Sequence, residues 1–68
     1  MSVYKVIEII GTSNQSWEDA ASSAVKSARE TLRDLRVAEV VEQDIDLGQG
    51  DNITFRTKLR VSFKYEGD

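Results

Sequence analysis

Nine Lys and Arg against twelve Asp and Glu give this chain of 68 residues a net charge of -3, and it contains no His, Cys or Pro. At this length one domain, residues 1–68, is expected, and it buries only about 60% of its unfolded surface. Without disulfides or the usual zinc ligands to staple the small core, self-association is the expected stabiliser.

The same absences exclude Ser–His and Cys–His catalysis and any imidazole base. The acidic balance counts against nucleic-acid partners. With 40% hydrophobic and 31% charged residues, the chain reads as folded rather than disordered. No stretch is long enough to span a bilayer, and the opening MSVYKVIEII lacks the basic start and cleavage site of a signal peptide. A cytoplasmic location without a membrane partner is therefore expected.

Ser2–Ile10 is rich in Val and Ile and reads as a first strand, partly covered on both faces. Gly11–Gln15, GTSNQ, reads as the turn that follows. A phosphate-binding loop is not indicated there, because a single glycine is followed by no Lys. The next stretch, Ser16–Leu35, places Trp17, Ala20, Ala21, Ala24, Val25 and Ala28 at helical spacing, with Leu32 and Leu35 continuing the stripe. Lys26, Arg29, Glu30 and Arg33 fall on the opposite side. Ser16 suits the N-cap, Asp19 resembles the partner of a capping box, and Arg29 and Arg33 suit the C-terminal end. On this stripe Trp17 reads as a packing residue.

Val37–Leu47 has strand character, with Val37, Val41, Ile45 and Leu47 in one phase and Glu42, Asp44 and Asp46 in the other. Gly48–Asn52 reads as a hairpin connection. From Ile53 to Glu66 apolar and polar residues alternate over fourteen positions, broken only by Thr57. The order β-α-β-β predicts an α+β fold. A three-stranded antiparallel sheet of order 1-3-2, reached by a right-handed crossover, would wrap one amphipathic helix. Fourteen strand residues would run roughly 46 Å if straight. A globule of this length has a radius of gyration of about 11 Å. The hairpin must therefore curl around the helix, overhang it, or both, and an overhang is a ready subunit contact.

The acidic phase of the second strand should face the basic phase of the third. Pairing Leu47 with Ile53 sets Asp44 opposite Arg56 and Glu42 opposite Lys58. Strict alternation puts Glu39 on the other face from Glu42, Asp44 and Asp46, so these acids do not form a paired catalytic site, and no enzyme activity is expected. The run from Asp44 to Asn52 is oxygen-rich, but it lacks the closing Glu and the flanking helices of a calcium-binding loop. A metal shared between copies, with Glu42, Asp44 and Asp46 as donors, is the better expectation.

VYKVIEIIGTS, SWEDA, TLRDLR, AEVVEQ and LRVSF, in this order, closely resemble the dodecin family over nearly the whole chain. The resemblance implies the same fold and a hollow homododecamer that binds flavins such as riboflavin or FMN in pairs at subunit interfaces and stores them. It also implies two flavin-site positions, and both are substituted here. Val37 stands where typical members carry a stacking Trp, and Arg56 stands where they carry a Gln that hydrogen-bonds the flavin edge. Arg offers donors only, so it cannot copy an amide that both donates and accepts. The sequence looks closer to dodecin-like proteins that lack the stacking Trp and are associated with calcium. The expected function is a non-enzymatic assembly that binds, stores or buffers a small ligand or ion, with calcium a candidate and flavin storage the alternative.

Overall fold

The computed structural model describes residues 1–48 and 50–65. Its elements are β1 (Tyr4–Ser13), α1 (Trp17–Thr31), β2 (Leu35–Asp46) and β3 (Thr54–Lys64). The sheet order is β1-β3-β2, with both pairs antiparallel. This is the β-α-β-β architecture expected from the pattern. Glu66, the last position of the expected third strand, and Gln49 in the expected hairpin turn lie outside the described residues.

The centre of the core comes from the alternating face of β3. Thr57, Leu59 and Val61 are almost completely buried, and Ala20, Ala24 and Ala28 of α1 close over that face. Ile7 and Ile9 from β1, with Val25 and Leu35, complete the packing. Thr57 interrupts the apolar run for a reason. Its hydroxyl donates to the backbone oxygen of Trp17 at 2.9 Å, which satisfies a polar group in the interior.

Three points differ from the sequence reading. Gly11, Thr12 and Ser13 belong to β1 rather than to a turn. Gly11 is there to let the helix approach, since a Cβ at that position would fall 2.0 Å from the Ala20 oxygen. The helix stops at Thr31, not near Leu35. Leu32 caps it in an extended conformation, and Asp34 turns the chain with φ 58. Leu35 is therefore a strand residue opposite Phe63, and Arg29 is the basic residue of the last turn.

Ser16 is the N-cap, its Oγ accepting from the Asp19 N–H at 2.9 Å. The reciprocal half of a capping box is replaced. The Asp19 carboxylate accepts from the Ser13 hydroxyl at 2.7 Å, and Ser13 Oγ in turn accepts from the Gln15 N–H.

The third correction concerns facing. The β2–β3 register shifts between Val40 and Glu42, so Val41 is an extra residue. Glu39 consequently lies opposite Arg60 and shares a face with Glu42 and Asp44, whereas alternation alone had put it on the other side.

The molecule is elongated, 51 × 20 × 16 Å with a Cα radius of gyration of 13.9 Å. The excess over a compact globule of this length is the overhanging β2–β3 hairpin. α1 packs on β1 and β3 and barely touches β2. Exposed apolar side chains therefore run along β2 and its exit, among them Val37, Val40, Val41 and Leu47. Among the described residues, no helix is long and apolar enough to cross a membrane.

Candidate functional site

The face of the sheet turned away from α1 carries the charged residues in cross-strand rows. The three-stranded register sets Thr12, Arg56 and Asp44 in one row and Ile10, Lys58 and Glu42 in the next. Glu8, Arg60 and Glu39 follow, then Val6, Ser62 and Val37. The pattern arises because β3 is the central strand, and its basic phase lies between acids contributed by both neighbours.

Arg56 grips Asp44 with two hydrogen bonds, Nε to Oδ1 at 2.7 Å and Nη2 to Oδ2 at 2.9 Å. This bidentate geometry is specific to the guanidinium fork. Hydrogen bonding to Arg56 holds the Asp44 carboxyl below its ordinary value; partial desolvation opposes this, and the charges of Arg56 and Lys58 reinforce it. The same pair raises Arg56 further.

Arg60 bridges both edge strands, reaching Glu8 at 2.9 Å and Glu39 at 3.6 Å. Lys58 leans to Glu8 at 3.9 Å rather than to Glu42, its register partner. The sequence reading thus placed Asp44–Arg56 and the Glu42–Lys58 register correctly. It missed Glu8, which the phase of β1 could have supplied once β3 was recognised as central.

The proposed metal donors lie on this face, but they do not converge within one chain. Glu42, Asp44 and Asp46 are alternate residues of β2, each step spanning roughly 7 Å. Calcium takes six to eight oxygens at about 2.3–2.6 Å. Asp44 is already clamped by Arg56, and Asp46 Oδ1 accepts from the Gly48 N–H at 2.9 Å. Among the described residues, no three acidic side chains are grouped closely enough to hold a metal ion. A single copy therefore supplies at most part of a coordination shell.

The two flavin-site positions are also separated. Val37 lies opposite Ser62 and Arg56 opposite Asp44. They share the outer face but stand roughly 20 Å apart along β3. One chain offers two partial surfaces, and Val37 is 62% exposed with no ring to stack on a ligand. Trp17 does not supply that ring. It packs edge-on against Phe55 with centroids 5.2 Å apart, and its Nε1 donates to the Asp44 backbone oxygen at 3.0 Å.

The sequence model of the family described as Dodecin matches residues 3–66. The chain belongs to the dodecin family. It is 59% identical over 64 residues to the calcium dodecin of Mycobacterium tuberculosis, covering 94% of this chain and 90% of that protein. To the dodecin of Thermus thermophilus it is 38% identical, covering 94% and 93%. The crystal structure of the M. tuberculosis calcium dodecin, described as having a novel calcium-binding site, superposes with a TM-score of 0.90 at 55% identity, covering 98% of this chain and 96% of that one. The dodecin of Streptomyces davaonensis gives a TM-score of 0.88 at 29% identity, covering 97% of each. The fold is thus shared with these dodecins at identities from 29% to 55%.

Proposed function

We propose that this dodecin assembles as a homododecameric, hollow, non-enzymatic shell in the cytoplasm that binds or buffers a small ligand or ion, with calcium as the ion. The observation that carries the choice against flavin is Val37, an exposed aliphatic side chain where a stacking ring would be needed. The choice of calcium is supported by the high identity to a relative named for it. Assembly is supported by the exposed apolar row along β2, which a monomer of this size would leave in water.

In this reading, calcium is held by carboxylates of Glu42, Asp44 and Asp46 drawn from more than one copy. What supports this is the separation of these donors within one chain. Residues 1–68 act as one dodecin-like domain. Calorimetric titration of chelator-stripped protein should show saturable heat on adding calcium; no heat at millimolar calcium removes the reading.

A second reading, flavin storage, is favoured by the adjacency of Val6 and Val37 on either side of Ser62. They form an aliphatic patch on which a flat heterocycle could rest. Quenching of riboflavin fluorescence at submicromolar protein would establish it over calcium.

A further inference from the structure

One of the three proposed calcium donors is already engaged within its own chain. Among the described residues, the ion pairs of Lys58 and Arg60 use Glu8 and Glu39. Only Arg56, paired with Asp44, holds a residue of the Glu42, Asp44 and Asp46 set. Its two hydrogen bonds, at 2.7 Å and 2.9 Å, occupy both carboxylate oxygens. The register explains why this grip falls on a single acid. Arg60 lies between Glu8 and Glu39, whereas Arg56 lies between Asp44 and the uncharged Thr12. A recess of about 110 Å³ opens beside the pair, lined by Ile10, Glu42, Asp44, Arg56 and Lys58. Two cations balance two acids there, so the closed recess carries no net charge to draw a cation in.

Arg56 and calcium exclude each other at Asp44. Calcium sits about 2.3–2.6 Å from a carboxylate oxygen. That brings it within roughly 5 Å of a guanidinium nitrogen bonded to the same oxygen, and the like charges repel. Asp44 is held in place, because its backbone oxygen accepts from Trp17 Nε1 at 3.0 Å and the residue is paired in the β2–β3 ladder. Arg56 is the partner able to leave, since its side chain is 42% exposed and has solvent beside it. We propose that Arg56 is a latch on the calcium site. It keeps Asp44 closed to cations until calcium displaces the guanidinium, and so sets the calcium concentration at which the protein fills. This rests on the calcium reading above and adds its regulation.

Calcium chloride titrated calorimetrically into chelator-stripped, full-length protein tests the latch in Arg56→Gln and Arg56→Lys. Far-UV circular dichroism and sedimentation confirm that each variant folds and associates as the wild type does. Arg56→Gln removes both fork and charge and should tighten calcium binding at least tenfold. Arg56→Lys keeps the charge, but an ammonium lacks the planar fork that grips both carboxylate oxygens. It should tighten binding at least threefold, which a change of field alone would not produce. Saturable heat with the same affinity in all three proteins overturns the latch and leaves the calcium reading standing. Tightening by Arg56→Gln alone also overturns it, because charge rather than the grip would then be at work. No heat from any of the three at millimolar calcium overturns the calcium reading, and the latch with it.

Discussion

Gly11→Ala is the smallest change that tests how closely the helix lies on the sheet. The added Cβ would fall 2.0 Å from the Ala20 carbonyl oxygen and 2.9 Å from both the Ala20 carbonyl carbon and the Ala24 Cβ. Non-bonded carbon atoms rest at about 3.5–4.0 Å, so helix and strand must separate by more than an ångström. The obstacle is helix backbone, which has no rotamer to swing aside. Overpacking of a filled interior costs about 1–3 kcal/mol, and this site belongs at the upper end. Replacing Gly by Ala also stiffens the unfolded chain, which returns roughly 0.4–1 kcal/mol.

The net loss is therefore about 2 kcal/mol, a large share of the roughly 5–15 kcal/mol typical of a domain. For a chain of this size that lowers Tm by on the order of 10 °C. Urea unfolding followed by the fluorescence of Trp17, the single tryptophan, reads it directly. Protein concentration must be held constant, because the proposed assembly would make apparent stability concentration-dependent. The midpoint should fall with the slope unchanged. A loss under about 0.5 kcal/mol would refute the close approach, and with it the account of why a glycine stands near the end of β1.

Thr57→Val keeps the shape of a buried residue and removes the hydroxyl that serves Trp17, so it should cost about 1 kcal/mol in the same assay. Val37→Trp should create flavin binding or tighten it roughly 5- to 150-fold by fluorescence titration, the equivalent of about 1–3 kcal/mol from two stacking faces; an affinity equal to that of the wild type would show that the missing ring is not the obstacle. The pH dependence follows from Asp44, whose folded-state pKa lies below its unfolded value. Its pairing with Arg56 stabilises the fold above the ordinary carboxylate range and is lost as pH falls from there through the lowered folded value. The stability difference between wild type and Asp44→Asn should therefore stay constant from neutral pH down to that range and shrink only below it, as read by urea midpoints along a pH series.

The architecture was legible because each element carries a clear signal of its own. The helical spacing from Trp17 to Ala28 and the alternation of β3 leave little choice of type, and the position of β3 between its neighbours follows from chain order. The Asp44–Arg56 pair was legible because hairpin register propagates from the turn as far as the first irregularity. Beyond Val41 it failed. A bulge adds one residue without any change of composition, and strict alternation then assigns Glu39 to the wrong face. The helix end was misread for a related reason. Leu32 and Leu35 continue the helical stripe as sequence, but Leu32 already has extended backbone angles, and Asp34 reverses the chain so that Leu35 enters β2. The shared periodicity of a helix end and a following strand start hides that transition.

The placement of α1 links these local facts to the surface proposed for assembly and ligand binding. Gly11 draws the helix down over β1 and β3, and Ala20, Ala24 and Ala28 are small enough to permit it. A helix seated there cannot also cover β2, which is left with no buried residue despite Val37, Val40 and Val41. The uncovered strand is thus a direct consequence of the tight contact on the other side of the sheet. It leaves on one chain both the apolar row that favours association and the outer-face acids that a single copy cannot bring together. The proposed assembly and the proposed ligand binding accordingly share one structural cause, and a change that lifts the helix, such as Gly11→Ala, should disturb both.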